Sequence, residues 1–355
     1  MPVHFDSERK ARVLDAHSRW WNGTLNRPLV SVTLDGAYPS RPNPSPAPIL
    51  SQASCADFRW SPEQVIDAMD DHLSRQEYLG DAFPLVNFSA FGPGVLAALC
   101  GAKLDNSSGG VWFWPDKERE IADIHVQYDP ENVWAKRIKA LYRAGLEKWN
   151  GLVIMGMPDL GGVMDVAATF RGSENLLLDL YDEPEEVLRL VHEIEDAWYA
   201  AYNDFAEVLK PQGCFSDWSG LLSKDPSYII QCDFCYMIGN PMFRQFVLPT
   251  LAKDANRLTN TIYHLDGIGE LNHLDDVLAL ENLNAVQWVF GAGKGPAIDW
   301  LDVYRKIQAS GKRMWIIEHP QDFLDILGEL HGAPYGNFHL SADNRALAQK
   351  LINAR

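Results

Sequence analysis

The stretch Thr259 to Gly293, TNTIYHLDGIGELNHLDDVLALENLNAVQWVFGAG, decides how the rest of the chain is read. A short β-branched and aromatic run, Thr261-Ile262-Tyr263, stops at His264-Leu265-Asp266-Gly267, where apolar patterning gives way to polar residues and glycine. Apolar positions at Leu271, Leu274, Val277 and Leu278 then recur with helical spacing. A second apolar run, Ala285 to Phe290, ends at Gly291-Ala292-Gly293. The unit is strand, polar turn, helix, strand, glycine turn. Parallel α/β proteins place their chemistry at the carboxyl ends of strands, and His264, Asp266 and the Gly291 turn all fall there.

The same alternation extends in both directions. Strand-like runs near residues 30, 85, 153, 230, 262, 287, 315 and 338 are each followed by a helical segment. Eight such units predict an α/β fold, a single (β/α)8 barrel spanning residues 1–355, with residues 1–26 as an N-terminal helical extension and an inserted loop or hairpin around 102–125. The doubly wound open sheet is the other fold with this alternation, but no GxGxxG follows an early strand. Ser61-Pro62-Glu63-Gln64 carries a capping-box pattern and predicts a helix running to about Tyr78.

Composition limits what the protein binds. A hydrophobic fraction of 46% and a charged fraction of 22% describe a globular chain, and no apolar run approaches the roughly 20 residues of a membrane helix. The start, MPVHFDSERKARVLDAHSRWW, lacks the apolar core of a signal peptide, so a cytoplasmic protein is expected, with no membrane partner. A net charge of −17 argues against nucleic acid, whose phosphates require a basic face. It equally disfavours a polyanionic substrate. The odd set of cysteines, Cys55, Cys100, Cys214, Cys232 and Cys235, predicts no disulfides. Cys232-x-x-Cys235 has metal or redox spacing, but Tyr228 to Met237 reads as a strand, on which residues three apart face opposite sides. The pair is therefore expected to be buried and structural.

The strand ends supply the candidate site. They carry Asn87, Asp159, Asp165, Trp218, Asp233, His264, Asp266, Gln287, Trp288, Glu318, His319 and His339. Carboxylates and histidines converging on one rim make either a metal site or an acid–base site. Among the catalytic candidates are His264, Asp266 and Asp233. Asn87, Trp218, Gln287 and Trp288 are candidates for substrate contact, and Lys294, between Gly293 and Gly295, for clamping an anion against turn amides. For Asp165 a helix-cap role is an equal alternative.

The succession GDAFPLVNFSAFGPGVLAALCGA, GMPDLGGVMDVAATFRG, LYDEPEEVLRLV, IGNPMFRQFVLPTL and IYHLDG resembles the uroporphyrinogen decarboxylase superfamily over nearly the whole chain from about residue 27. That resemblance implies a (β/α)8 barrel enzyme, either the decarboxylase or a zinc methyltransferase acting with a corrinoid protein, coenzyme M or tetrahydrofolate, often paired as a homodimer. The decarboxylase's aspartate is matched by Asp81. Its arginine-rich loop is reduced to Arg41, and Ala168 and Ala342 stand where its tyrosine and late histidine belong. Porphyrinogen decarboxylation is thereby disfavoured. The methyltransferase His-x-Cys is matched by His264 and Asp266, with aspartate in place of the thiolate, and no cysteine follows Cys235. A set of His264, Asp266 and Glu318 would bind Zn²⁺ or a harder ion such as Mn²⁺. Without a metal, His264 and Asp266 form an acid–base pair, and the chain is a lyase acting on a small non-porphyrin substrate or a small-molecule binder. The expectation taken forward is a methyltransferase-type enzyme.

Overall fold

A computed structural model describes residues 3–354. Its strands are β1 (Leu29–Asp35), β2 (Glu77–Gly80), β3 (Leu85–Val86), β4 (Lys103–Asp105), β5 (Trp112–Trp114), β6 (Ile154–Met155), β7 (Ser227–Gln231), β8 (Asn260–Asp266), β9 (Ala285–Val289), β10 (Arg313–Ile316) and β11 (Tyr335–Ser341). Strand segments occur near each of the expected positions, but β3 and β6 are only two residues long. The predicted insertion around 102–125 contains the antiparallel hairpin β4–β5.

The central sheet has the order β2-β1-β11-β10-β9-β8-β7, parallel throughout except for β2. β3 and β6 form a separate parallel pair. The fold is thus mixed α/β with a parallel central sheet surrounded by helices. The hydrogen-bonded ladder does not run from β2 to β3 or from β6 to β7, so the closed eight-stranded ladder expected from the sequence is not formed among the described residues. A single backbone bond, Met157 N–H to Ser216 O at 2.8 Å, bridges part of the second gap.

β2 itself is a correction. The helix capped by Ser61 ends at Ser74, and Glu77–Gly80 returns antiparallel along β1. The box forms as expected, since Ser61 and Gln64 satisfy each other's backbone amides. Helical spacing simply does not continue past Arg75.

Alternation along the strands separates an inner face from an outer one. Leu29, Ile229, Ile262 and Ala285 form an apolar layer at the amino end of the inner face. The N-terminal helix Ser7–Trp21 packs against this layer with Trp20 and Trp21, each worth about 1.5–3 kcal/mol when buried. Their indole N–H groups donate to Ala333 O (2.6 Å) and Leu222 O (3.0 Å). Buried His17 on the same helix accepts from Leu222 N–H at 3.0 Å through Nδ1 and donates from Nε2 to Asp81 O at 3.1 Å. With the amino end sealed, the inner face opens at the carboxyl ends of the strands. Among the described residues, no helix is long and apolar enough to cross a membrane.

Candidate functional site

Registration across the sheet brings the first group together. His264 on β8 lies beside Gln231 on β7 and Gln287 on β9, and Gln287 lies beside Trp315 on β10. Registered residues of parallel strands point to one face, here the inner one. The Gln287 side-chain carbonyl pairs with His264 Nδ1, which places the ring proton on Nδ1 and leaves the Nε2 lone pair free. Nε2 faces Asp266 Oδ2 at 3.9 Å. Asp233, two residues beyond β7, completes a cluster in which one ligand atom from each of Asp233, His264 and Asp266 lies within 4.8 Å of the others.

A buried shell supports this cluster. Asp165, in the first turn of the helix Val163–Arg171, accepts from Phe234 N–H at 2.7 Å and from Asp233 N–H at 3.2 Å, fixing the loop that carries Asp233. Burial, reinforced by the charge of Asp233, pushes the Asp165 carboxyl up to about 7. Desolvation also raises the Asp233 carboxyl, with His264 opposing and Asp266 adding to the shift. Behind β8, Tyr263 donates its hydroxyl to Glu270 Oε2 at 3.1 Å and contacts Cys235 Sγ at 3.6 Å. Glu270 is wholly buried and its Oε1 has no partner among the described residues. Its carboxyl is pushed up to about 11, chiefly by burial and then by Cys235 and Asp233.

A cavity of about 470 Å³ adjoins the cluster across Trp218. The Trp218 indole lines the cavity and stands edge-on to His264, with ring centroids 5.2 Å apart. Its polar lining is Thr33 and Asp35 from β1, His72 and Gln76 from the capped helix and the turn after it, and Asn337 and His339 from β11. Apolar side chains complete the lining, with Leu50, Phe83 and Leu85 and, on the same helix as His72, Met69 and Leu73. Asn87, expected at the site, is on the cavity wall, where its Oδ1 caps the turn at Ser89 N–H.

Several expected residues lie elsewhere. Asp81 is at the amino end of β1, paired with Arg27 (2.6 and 2.7 Å) and accepting from Val30 N–H at 3.1 Å. The antiparallel course of β2 carries it there, away from the catalytic end. Trp288 registers with Leu265 and faces the helices, against Trp300 at 5.4 Å, because strand residues alternate and its neighbour Gln287 takes the inner face. Glu318 accepts from Ala297 N–H (2.6 Å) and His319 N–H (2.7 Å) and is not in the cluster; Asp233 takes the third place. Lys294 is exposed in its glycine turn. Cys232 and Cys235 are not on a strand. β7 ends at Gln231, and residues 233–237 form a 3₁₀ turn that brings the two thiols together in the interior.

No protein-family model and no curated protein matches the chain. A solved structure does: a methyltransferase from Methanosarcina mazei aligns over 86% of this chain and 92% of its own, with a TM-score of 0.56 and 12% identity. The two proteins share a fold.

The donor set decides which ion suits the cluster. One imidazole nitrogen and two carboxylates, with no thiolate, match a hard or borderline divalent ion such as Mn²⁺ or Zn²⁺ rather than a thiolate-bound zinc. Burial raises the Cys232 thiol well above its usual range, away from the thiolate form that binds metal. Sequence reasoning missed Glu270 and gave Asp35 and His72 no role. The available signal was the polar alternation Ser31-x-Thr33-x-Asp35 and Asn337-x-His339 in two strands that register with each other.

Proposed function

We propose that the chain is a methyltransferase-type enzyme on a barrel of the (β/α)8 kind. Its divalent metal is held by Asp233, His264 and Asp266, and its small-molecule substrate occupies the adjoining cavity. The observation that carries this reading is the convergence of those three ligand atoms beside a cavity at the carboxyl ends of the strands. When bound, the ion would supply Lewis acidity, lowering the pKa of a coordinated acceptor or polarising the group that leaves. Gln287 orients the imidazole, Asp165 fixes the Asp233 loop, and Trp218 divides metal from cavity. The sequence resemblance supports a corrinoid-bearing protein or tetrahydrofolate as the other party to methyl transfer.

Metal-free proton transfer by His264 and Asp266 is the competing chemistry, but their 3.9 Å separation is too long for a direct hydrogen bond. Elemental analysis of protein purified without chelator separates the two. About one divalent ion per chain, lost in His264→Ala and in Asp233→Asn, is the expected result. Absence of stoichiometric metal in the wild-type protein would refute the proposal.

A further inference from the structure

The walls of the cavity carry information about charge that the metal cluster does not. Asp35 closes the carboxyl end of β1 and is the sole carboxylate on the wall among the described residues. Its Oδ1 accepts from Gln76 Nε2 at 2.7 Å, whereas Oδ2 has no donor among the described residues. Gln76 is held in turn by the Tyr78 hydroxyl at 3.1 Å and lies 3.2 Å from His72 Nε2. The carboxylate is exposed at the cavity rim, held by one oxygen and open at the other. His72 offers no compensating charge, because burial lowers its pKa.

No lysine or arginine lines the cavity among the described residues. An anionic ligand there would meet Asp35 with no lysine or arginine as counter-charge and only His72 and His339 as basic groups, which disfavours binding. An ammonium group gains a charge-assisted hydrogen bond to Oδ2. Leu50, Met69 and Leu73 add apolar surface to the same lining, and the volume suits a small organic molecule.

We propose that the cavity takes a small organic cation, a protonated amine with a flat or branched apolar body. Its nitrogen lies on Asp35 and its body on the apolar side chains of the lining, and its far end reaches the Trp218 partition beside His264. This inference rests on reading the cavity as the substrate side of the site proposed above.

The test uses three probes of one skeleton and different charge, benzylamine, benzyl alcohol and benzoate, titrated into chelator-treated full-length protein by ligand-observed NMR. Benzylamine is expected to bind roughly tenfold or more tightly than benzyl alcohol, and benzoate most weakly. Asp35→Asn, at the open end of β1, should abolish the benzylamine preference and leave benzyl alcohol unchanged. Equal affinity for the amine and the alcohol, tighter binding of benzoate, or binding of none of the three would overturn the proposal, and the wild-type comparison decides this without any variant. Because the titration is metal-free, a benzylamine preference in a chain that holds no metal would overturn the metal reading alone. A benzoate preference in a chain that binds metal would overturn this inference alone.

Discussion

His264 takes its orientation from Gln287. An amide carbonyl on Nδ1–H fixes the tautomer without adding charge, which leaves the Nε2 lone pair on the side of Asp233 and Asp266, available to a metal. Gln287→Leu removes that anchor at a fully buried position of similar size. It should lower divalent-ion affinity by roughly 10- to 100-fold, read by competition with a metal-sensitive dye. Glu270 poses a different problem. With its carboxyl at about 11, the folded chain retains at neutral pH a proton that the unfolded chain has released. Stability therefore falls as pH rises from the ordinary carboxyl range toward that value. Glu270→Gln keeps an acceptor for the Tyr263 hydroxyl and does not titrate. Urea unfolding at several pH values should show its advantage over wild type widening between about pH 5 and 8, by up to roughly 1 kcal/mol per pH unit. A constant or shrinking difference would mean that Glu270 is ionised in the folded protein.

At the level of elements, the loop from β6 into the helix Val163–Arg171 sets the height of the Asp233 turn. Gly162 lies there against β7, and a methyl group added to it would overlap the carbonyl oxygen of Gln231 and the carboxylate of Asp165. Gly162→Ala should cost about 1–3 kcal/mol in equilibrium unfolding and also weaken metal binding, since Asp165 holds the Asp233 backbone. Unchanged metal affinity would break the proposed link between that loop and the cluster. The positions of the parallel strands were legible because β-branched and aromatic runs such as Thr261-Ile262-Tyr263 are interrupted by helical spacing. β2 was not legible: Glu77-Tyr78-Leu79-Gly80 follows a well-capped helix, and only tertiary pairing with β1 makes it a strand. The same limit applies within the site. The position of His264 at a strand end can be read from its Asp-Gly neighbour, but which carboxylate joins it depends on how loops from different strands fold over. Asp233 from β7 reaches the cluster and Glu318 from β10 does not. Facing direction was readable in principle, since Gln287 and Trp288 must point opposite ways, yet residue type alone made both attractive.

For the whole molecule, the acidity that argues against nucleic acid and polyanionic substrates has a local counterpart at the cavity, where no lysine or arginine accompanies Asp35 among the described lining residues. Sequence composition argued against polyanionic ligands but could not place the carboxylate that meets the ligand in the proposed site. Long-range pairing is equally invisible in composition. β1 registers along its full length with β11, Leu29 opposite Tyr335 and Asp35 opposite Ser341, so the first strand is completed by the last. A chain ending before Tyr335 should lose cooperative unfolding and precipitate rather than yield a shortened fold, which size-exclusion chromatography and thermal melts would reveal. This pairing also has a meaning in time. During synthesis β1 emerges long before β11 exists, and a bare strand edge invites association with other nascent chains. The early antiparallel return of β2 covers one side of β1 while the other side waits for β11 to leave the ribosome.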